Sequence, residues 1–346
     1  MGEEPLSLAI NESFQMNELT KALNKNKPSS PGNDKIPYEI YYNLPKSTKE
    51  LLLKLINTIW NKVEIPSECK HAILIPIGKP NKDPHSIKSY RPISLLPCFI
   101  KIIEKMIKIR LQWFTEKHHT LPPFISGFRQ GRNTTDNIVI LENTIQKSIN
   151  NKGHTLVVFL DISHAYDAVM IEGLHYKLTL KGMKGKMFRF LQNYLTNRTF
   201  QVRINSKVSK PNTLNQGLPQ GSILSPILFN IMMSDIPTNN HVGILTYADD
   251  LAIYMSGSNI KFLGKKIQEY LNELNTWFEK WGFTLSQTKT IPMLFTKHPA
   301  PPYPVIKLKD TQLHYSKTYK FLGVIFDSKL QWHAPPHRKC HQENQR

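Results

Sequence analysis

Cysteine is scarce in this 346-residue chain: Cys69, Cys98 and Cys340 are the three. Three scattered thiols cannot build a disulfide framework, so a small stapled secreted fold is excluded and a reducing compartment suits the chain. His333, His337, Cys340 and His341 crowd near the end, but their spacing matches no zinc pattern and reads as a solvated tail. No apolar stretch approaches the length of a membrane span. The opening Met1-Gly2-Glu3-Glu4 is acidic and lacks the basic start of a secretory leader. Internal repeats and long low-complexity tracts are missing as well, and no targeting address is legible. Acidic residues are also short, 26 Asp and Glu against 45 Lys and Arg, a formal net charge of +19. Such an excess favours a polyanionic partner through phosphate neutralisation and counterion release.

The few acids present are placed unevenly. Thr246-Tyr247-Ala248-Asp249-Asp250-Leu251 sets two adjacent carboxylates between short apolar runs, 242–245 and 251–254. That pattern predicts a β-hairpin with the acids at its tip. Two like charges at a partly buried turn are costly without a cation. A third carboxylate is available where the apolar run 155–160 ends in Asp161. Three carboxylates from neighbouring strands suit a pair of Mg²⁺ ions, with Mn²⁺ as substitute, which prefer oxygen ligands and bind phosphate. Two such ions can activate an attacking 3′-hydroxyl and stabilise departing pyrophosphate, so the pattern points to nucleotidyl transfer. Asp161 and Asp249 are expected as the main ligands and Asp250 as a weaker one.

Several other stretches have legible local structure. Residues 6–23 read as a helix, as do 51–63, with Leu52, Leu55, Ile56 and Ile59 on a core side, and 98–114, with Ile100, Ile103, Ile107 and Leu111 on one face. Lys101, Lys105, Lys108 and Arg110 on this last helix face either template phosphates or solvent. Thr134 or Thr135 can cap the next helix, whose Ile138, Leu141, Ile145 and Ile149 have the spacing of a buried face. A hairpin is expected across Asn205-Ser206, and helices over 188–195, 225–233 and 260–281. Lys79 and Arg91 flank a further hairpin and can clamp a triphosphate, Arg by its bidentate fork and Lys as a point charge. Gly217-Leu218-Pro219-Gln220-Gly221 is a loop whose glycines permit close backbone approach and whose Gln220 can bond to a base or sugar.

Taken together, SPGNDKIPYEI from Ser30, SYRPISLL from Ser89, GFRQGRNTT from Gly127, DISHAYDAV from Asp161, GLPQGSILSPILFN from Gly217, YADD from Tyr247 and YKFLGVIFD from Tyr319 resemble reverse transcriptases. The resemblance is greatest to non-LTR, LINE-like, jockey-type retrotransposon polymerases, and its blocks run in order from about residue 29 to 327. It implies an α/β right-hand polymerase with fingers over 29–150 and a palm over 151–327. The palm would be an RRM-like βαββαβ sheet with packed helices. Residues 1–28 would form an N-terminal extension and 328–346 a truncated tail in place of a thumb, which is expected to be absent or truncated. No endonuclease is expected upstream and no RNase H or zinc knuckle downstream.

By the same resemblance Arg91 and Lys79 contact the incoming dNTP's phosphates. Tyr166 is the steric gate against a 2′-hydroxyl, and Gln220 and Gly221 touch the nascent base pair. Lys289 protonates the leaving pyrophosphate, and Phe321, Leu322 and Gly323 form a primer grip. Asp167 is expected to be structural. The implied activity is RNA-directed DNA polymerisation, with an RNA template, a DNA primer and dNTPs as partners, the element RNA in a ribonucleoprotein, and no membrane. Two rival readings stand beside it. An RNA-dependent RNA polymerase shares the carboxylate layout, and a catalytically silent remnant would only bind nucleic acid.

Overall fold

The computed structural model describes residues 9–24, 30–80, 82–297 and 302–331. The expectations for the His/Cys cluster of 333–341 and for most of the 328–346 tail lie outside them. So do 1–8 and 25–28 of the N-terminal extension. The described chain is mixed α/β and forms two compact units, each discontinuous in sequence.

The first unit comprises residues 1–131, 162–236 and 277–284. Its sheet places His71–Gly78 between Tyr90–Leu95, antiparallel, and Arg198–Ile204, parallel, in a register that sets Ile75 opposite Ile93 and His71 opposite Thr199. The expected hairpin across Asn205-Ser206 forms, with Ile204 opposite Lys207. The Cys98–Lys117 helix is the central rod of this unit. Its Ile100, Ile103, Ile107 and Leu111, spaced one helical turn apart, are all buried.

Its basic residues correct the expectation of a phosphate-facing or solvated stripe. Lys101 and Arg110 are buried. Arg110 forks onto both oxygens of Glu18 at 2.7 and 2.8 Å, donates to the carbonyls of Ile10, Glu12 and Ser13, and lies 4.0 Å over the Phe14 ring. Lys105 donates to the Ala22 carbonyl and sits over Tyr38. Arg110 and Lys105 hold the N-terminal segment to the helix.

That attachment also breaks the helix expected over 6–23. A short 3-10 turn, Ala9–Asn11, is followed by an extended stretch, and the α-helix runs only over Met16–Leu23. Asn57 takes both backbone groups of Phe14, accepting from its N–H at 2.7 Å and donating to its carbonyl at 2.9 Å. The Phe14 ring then tilts against Trp60, which in turn meets Phe190. In Lys46–Lys62, Leu52, Ile56 and Ile59 are buried as expected, but Leu55 is 51% exposed.

The second unit comprises 132–161, 237–276 and 285–346. Its antiparallel sheet runs Ile291–Phe295, His154–Ser163, Asp250–Gly257, Gly243–Tyr247. His154–Ser163 is central and buried along seven successive residues, which explains its unbroken apolar run. The Thr134–Asn150 helix lays Leu141, Ile145 and Ile149 against Val157, Phe159 and Met293. Its cap is Asn133, not a threonine. Asn133 Oδ1 accepts from the Asp136 N–H at 3.1 Å and Asp136 returns the bond at 2.8 Å, a reciprocal box that a downstream Thr cannot close.

Candidate active site

The second unit brings three acids and one lysine together. The expected hairpin forms between Gly243–Tyr247 and Asp250–Gly257, with Ala248 and Asp249 at its turn. Ala248 takes a left-handed φ of 57°, a conformation that costs a residue with a Cβ about 1 kcal/mol and tightens the turn. Asp250 is the register partner of Asp161 on the central strand and of Tyr247 within the hairpin. The ladder between these two strands therefore ends on a pair of carboxylates.

The electrostatics follow from this crowding. The Asp250 carboxyl is pushed up to about 6, first by partial desolvation, then by the charges of Asp249 and Asp161. Lys289 answers part of that charge, its ammonium lying 3.1 and 3.3 Å from the two Asp161 oxygens. The loop carrying Lys289 is pinned to the same strand end, because the Ser286 N–H donates to the Asp161 carbonyl at 2.9 Å. Tyr319 feels the site as well. Burial and the charges of Asp250 and Asp161 raise its phenol, while its ring stacks on Phe159 at 4.2 Å.

A divalent-cation site fits these residues in donor type: hard carboxylate oxygens, with the Asp250 carboxyl raised by partial desolvation and by the charges of Asp249 and Asp161. In the arrangement seen, no three His, Cys, Asp or Glu side chains among the described residues close into a formed ligand set. The acids are adjacent, with the Lys289 ammonium on Asp161.

Phe321, Leu322 and Gly323, expected to form a primer grip, lie in the same unit. Thr318–Phe321 and Val324–Asp327 form a hairpin whose two-residue turn is Leu322-Gly323, both at positive φ (47° and 91°). Phe321 is buried against Phe159 at 5.2 Å between ring centres. Leu322 packs on the same core.

The first unit carries the remaining predicted residues. Lys79 donates to the Lys88 carbonyl at 2.8 Å, and Arg91 is exposed on the neighbouring strand opposite Ile77. Tyr166 is half-buried and stacks on Phe229 at 4.9 Å. Gln220 Nε2 donates to Asp167 Oδ1 at 3.0 Å, and its backbone carbonyl accepts from the Ser94 N–H at 2.7 Å. Gly221 is needed for that contact. At φ 133°, a Cβ there would come within 2.4 Å of the Ser94 carbonyl oxygen.

Two supporting residues escaped the reading of the sequence. Glu104 is fully buried and binds the Tyr194 hydroxyl, the Ser222 hydroxyl at 3.1 Å and the Ile223 N–H at 2.6 Å, anchoring the chain just beyond Gly221. Burial raises its carboxyl, and these hydrogen bonds oppose the rise. Asn137, also fully buried, donates to the Thr246 carbonyl at 3.1 Å and so braces the strand that leads to the acids. The signal was present in both cases: a polar residue at a position that helical spacing assigns to the apolar face.

The reverse transcriptase (RNA-dependent DNA polymerase) family profile matches residues 77–326. The chain is 32% identical over 360 residues to a probable RNA-directed DNA polymerase from transposon BS of Drosophila melanogaster, covering 99% of this chain and 39% of that protein. It is 30% identical over 338 residues to the RNA-directed DNA polymerase from mobile element jockey of the same organism, covering 95% and 37%. The chain thus spans about two-fifths of the length of these relatives. In fold it is similar to the apo telomerase from Candida Tropicalis truncated from its C-terminal domain, with a TM-score of 0.50 and 15% identity over 88% of this chain and 62% of that one. The resemblance to jockey-type retrotransposon polymerases therefore holds over nearly the whole sequence, on a mixed α/β polymerase fold. By these matches the chain belongs to the reverse transcriptase family.

Proposed function

We propose that this chain is the RNA-directed DNA polymerase core of a non-LTR retrotransposon, adding dNTPs to a primer 3′-hydroxyl on an RNA template. The observation that carries the reading is the register of Asp161 against Asp250, one residue from Asp249 at a hairpin turn, with the Asp250 carboxyl raised by partial desolvation and then by the charges of the other two. Asp161 and Asp249, with Asp250 as a weaker ligand, would hold two Mg²⁺ ions, whose chemistry is activation of the hydroxyl and neutralisation of the leaving pyrophosphate. Lys289, already on Asp161, supplies a proton donor for the pyrophosphate.

In the other unit, Lys79 and Arg91 serve the dNTP phosphates, Tyr166 the sugar, and Gln220 and Gly221 the base pair. Phe321, Leu322 and Gly323 support the primer. Fingers over 29–150 and a palm over 151–327, built on an RRM-like sheet, are the domain reading that goes with these roles. Phosphoryl transfer of this kind rests on positioning and charge neutralisation, with no covalent enzyme intermediate. The net charge of +19 favours binding of template and primer. Asp249→Asn should abolish primer extension and leave primer-template affinity, read by filter binding, largely intact. Parallel loss of both would assign Asp249 to folding.

A further inference from the structure

The Gly217–Gly221 loop is fastened by its backbone on two sides. The Gly217 N–H donates to the Val169 carbonyl at 2.9 Å, the Leu218 N–H to the Tyr166 carbonyl at 2.8 Å, and the Gln220 carbonyl accepts from Ser94 at 2.7 Å. Gly217, at φ 87°, lies so close to Asp167 that a Cβ would meet its carbonyl oxygen at 2.8 Å. The main chain of the loop is therefore fixed, and the Gln220 side chain keeps the remaining freedom. Asp167 removes that freedom through its 3.0 Å hydrogen bond with the Gln220 amide. The pair borders a cavity of about 310 Å³ that Pro92 and Ser94 also line.

The chemistry decides which way the amide faces. A carboxylate offers acceptors and no donor, so the NH₂ group of Gln220 must face Asp167; the flipped amide would set oxygen against oxygen. The second Asp167 oxygen is turned to His164, 3.9 Å away. Beyond the N–H committed to Asp167, Gln220 keeps its carbonyl oxygen, an acceptor turned away from the carboxylate, and its second amide N–H. We propose that Asp167 is a positioning residue for dNTP recognition, holding Gln220 so that it presents an acceptor to a donor group of the incoming nucleotide. The proposal rests on the polymerase reading and gives Asp167, expected to be merely structural, a role in substrate specificity.

The test is steady-state single-nucleotide incorporation with the full chain, backed by thermal melting. Asp167→Ala frees the Gln220 side chain, and KM for dNTP should rise about fivefold, with kcat within a factor of two. Asp167→Asn keeps the size and a hydrogen bond but permits both amide orientations, so its KM should fall between wild type and Asp167→Ala. Gln220→Glu sets two carboxylates together and should raise KM at least as far as Asp167→Ala does. The exchanged pair, Asp167→Asn with Gln220→Glu, has the wild-type net charge and an Asn donor facing a Glu acceptor. It again leaves an outward acceptor and should restore KM to within about twofold of wild type, the non-additivity that marks direct coupling. A purely structural Asp167 would lower the melting temperature of Asp167→Ala and leave KM unchanged, which would overturn the proposal. Failure of the exchanged pair to recover would overturn it too. One readout needs no turnover: the Gln220 side-chain NH₂ resonances should shift and lose exchange protection in Asp167→Ala. Unchanged resonances refute the positioning, whereas shifted resonances in a chain that never extends primer uphold it and refute only the polymerase reading.

Discussion

Asp250→Asn removes one of three crowded negative charges at nearly constant volume, and the structure sets the size of the effect. The carboxyl is raised from 3.8 to about 6, about two pH units. At ~1.36 kcal/mol per unit this would be about 3 kcal/mol for an insulated group. Asp250 is solvent-exposed, so screening by water reduces the expected figure to about 1 kcal/mol. A raised acid binds its proton more tightly in the folded chain than in the unfolded one. Stability therefore falls as pH climbs from 3.8 to about 6, and the full deficit is present above that window.

An asparagine carries no such deficit. In EDTA at pH 7.5 the variant should melt about 2 °C above wild type, and the gap should close below pH 4. Mg²⁺ should narrow the gap. A cation at ten times its dissociation constant stabilises by about 1.4 kcal/mol, and the variant should gain less of this than wild type. Scanning calorimetry across pH 3.5–8, with and without Mg²⁺, reads all three outcomes. A variant less stable than wild type in EDTA at neutral pH, or a gap that ignores pH, would refute the electrostatic argument.

Two further outcomes are expected. Arg110→Ala leaves Glu18 without its partner and strips donors from three carbonyls, so it should destabilise folding by about 3–5 kcal/mol in urea melts, while a native fraction recovered at low temperature keeps wild-type affinity for primer-template. Reduced affinity at unchanged stability would return this helix to phosphate binding. Tyr166→Ala should admit ribonucleotides in single-nucleotide incorporation; unchanged sugar selectivity would remove the gate role.

Local structure was readable wherever one physical rule dominated. The period of Ile100, Ile103, Ile107 and Leu111, the apolar run into Asp161 and the paired acids between two short runs each specify an element without help from distant chain. Charge on a helix was not readable in the same way. Arg110 looks like solvated or phosphate-facing charge until Glu18 and the carbonyls of 10–13 are folded onto it, and those partners come from a segment remote in sequence. The break before Met16 is illegible for the same reason, since Asn57 makes it. At the site, each acid could be named from its own strand, but the register that sets Asp161 beside Asp250 is a property of the assembled sheet. Glu104 and Asn137 mark the opposite case: their polar side chains on apolar helix faces were visible signals, to be read as buried hydrogen-bonding groups that hold other segments in place.

The most direct measurement is primer extension on an RNA template with Mg²⁺ varied from none to millimolar, comparing wild type with Asp161→Ala. Extension that appears with Mg²⁺ in the wild type and is absent from a folded Asp161→Ala variant at every concentration is the predicted result. Extension by that variant at the wild-type rate, or a rate indifferent to divalent cation, would contradict it.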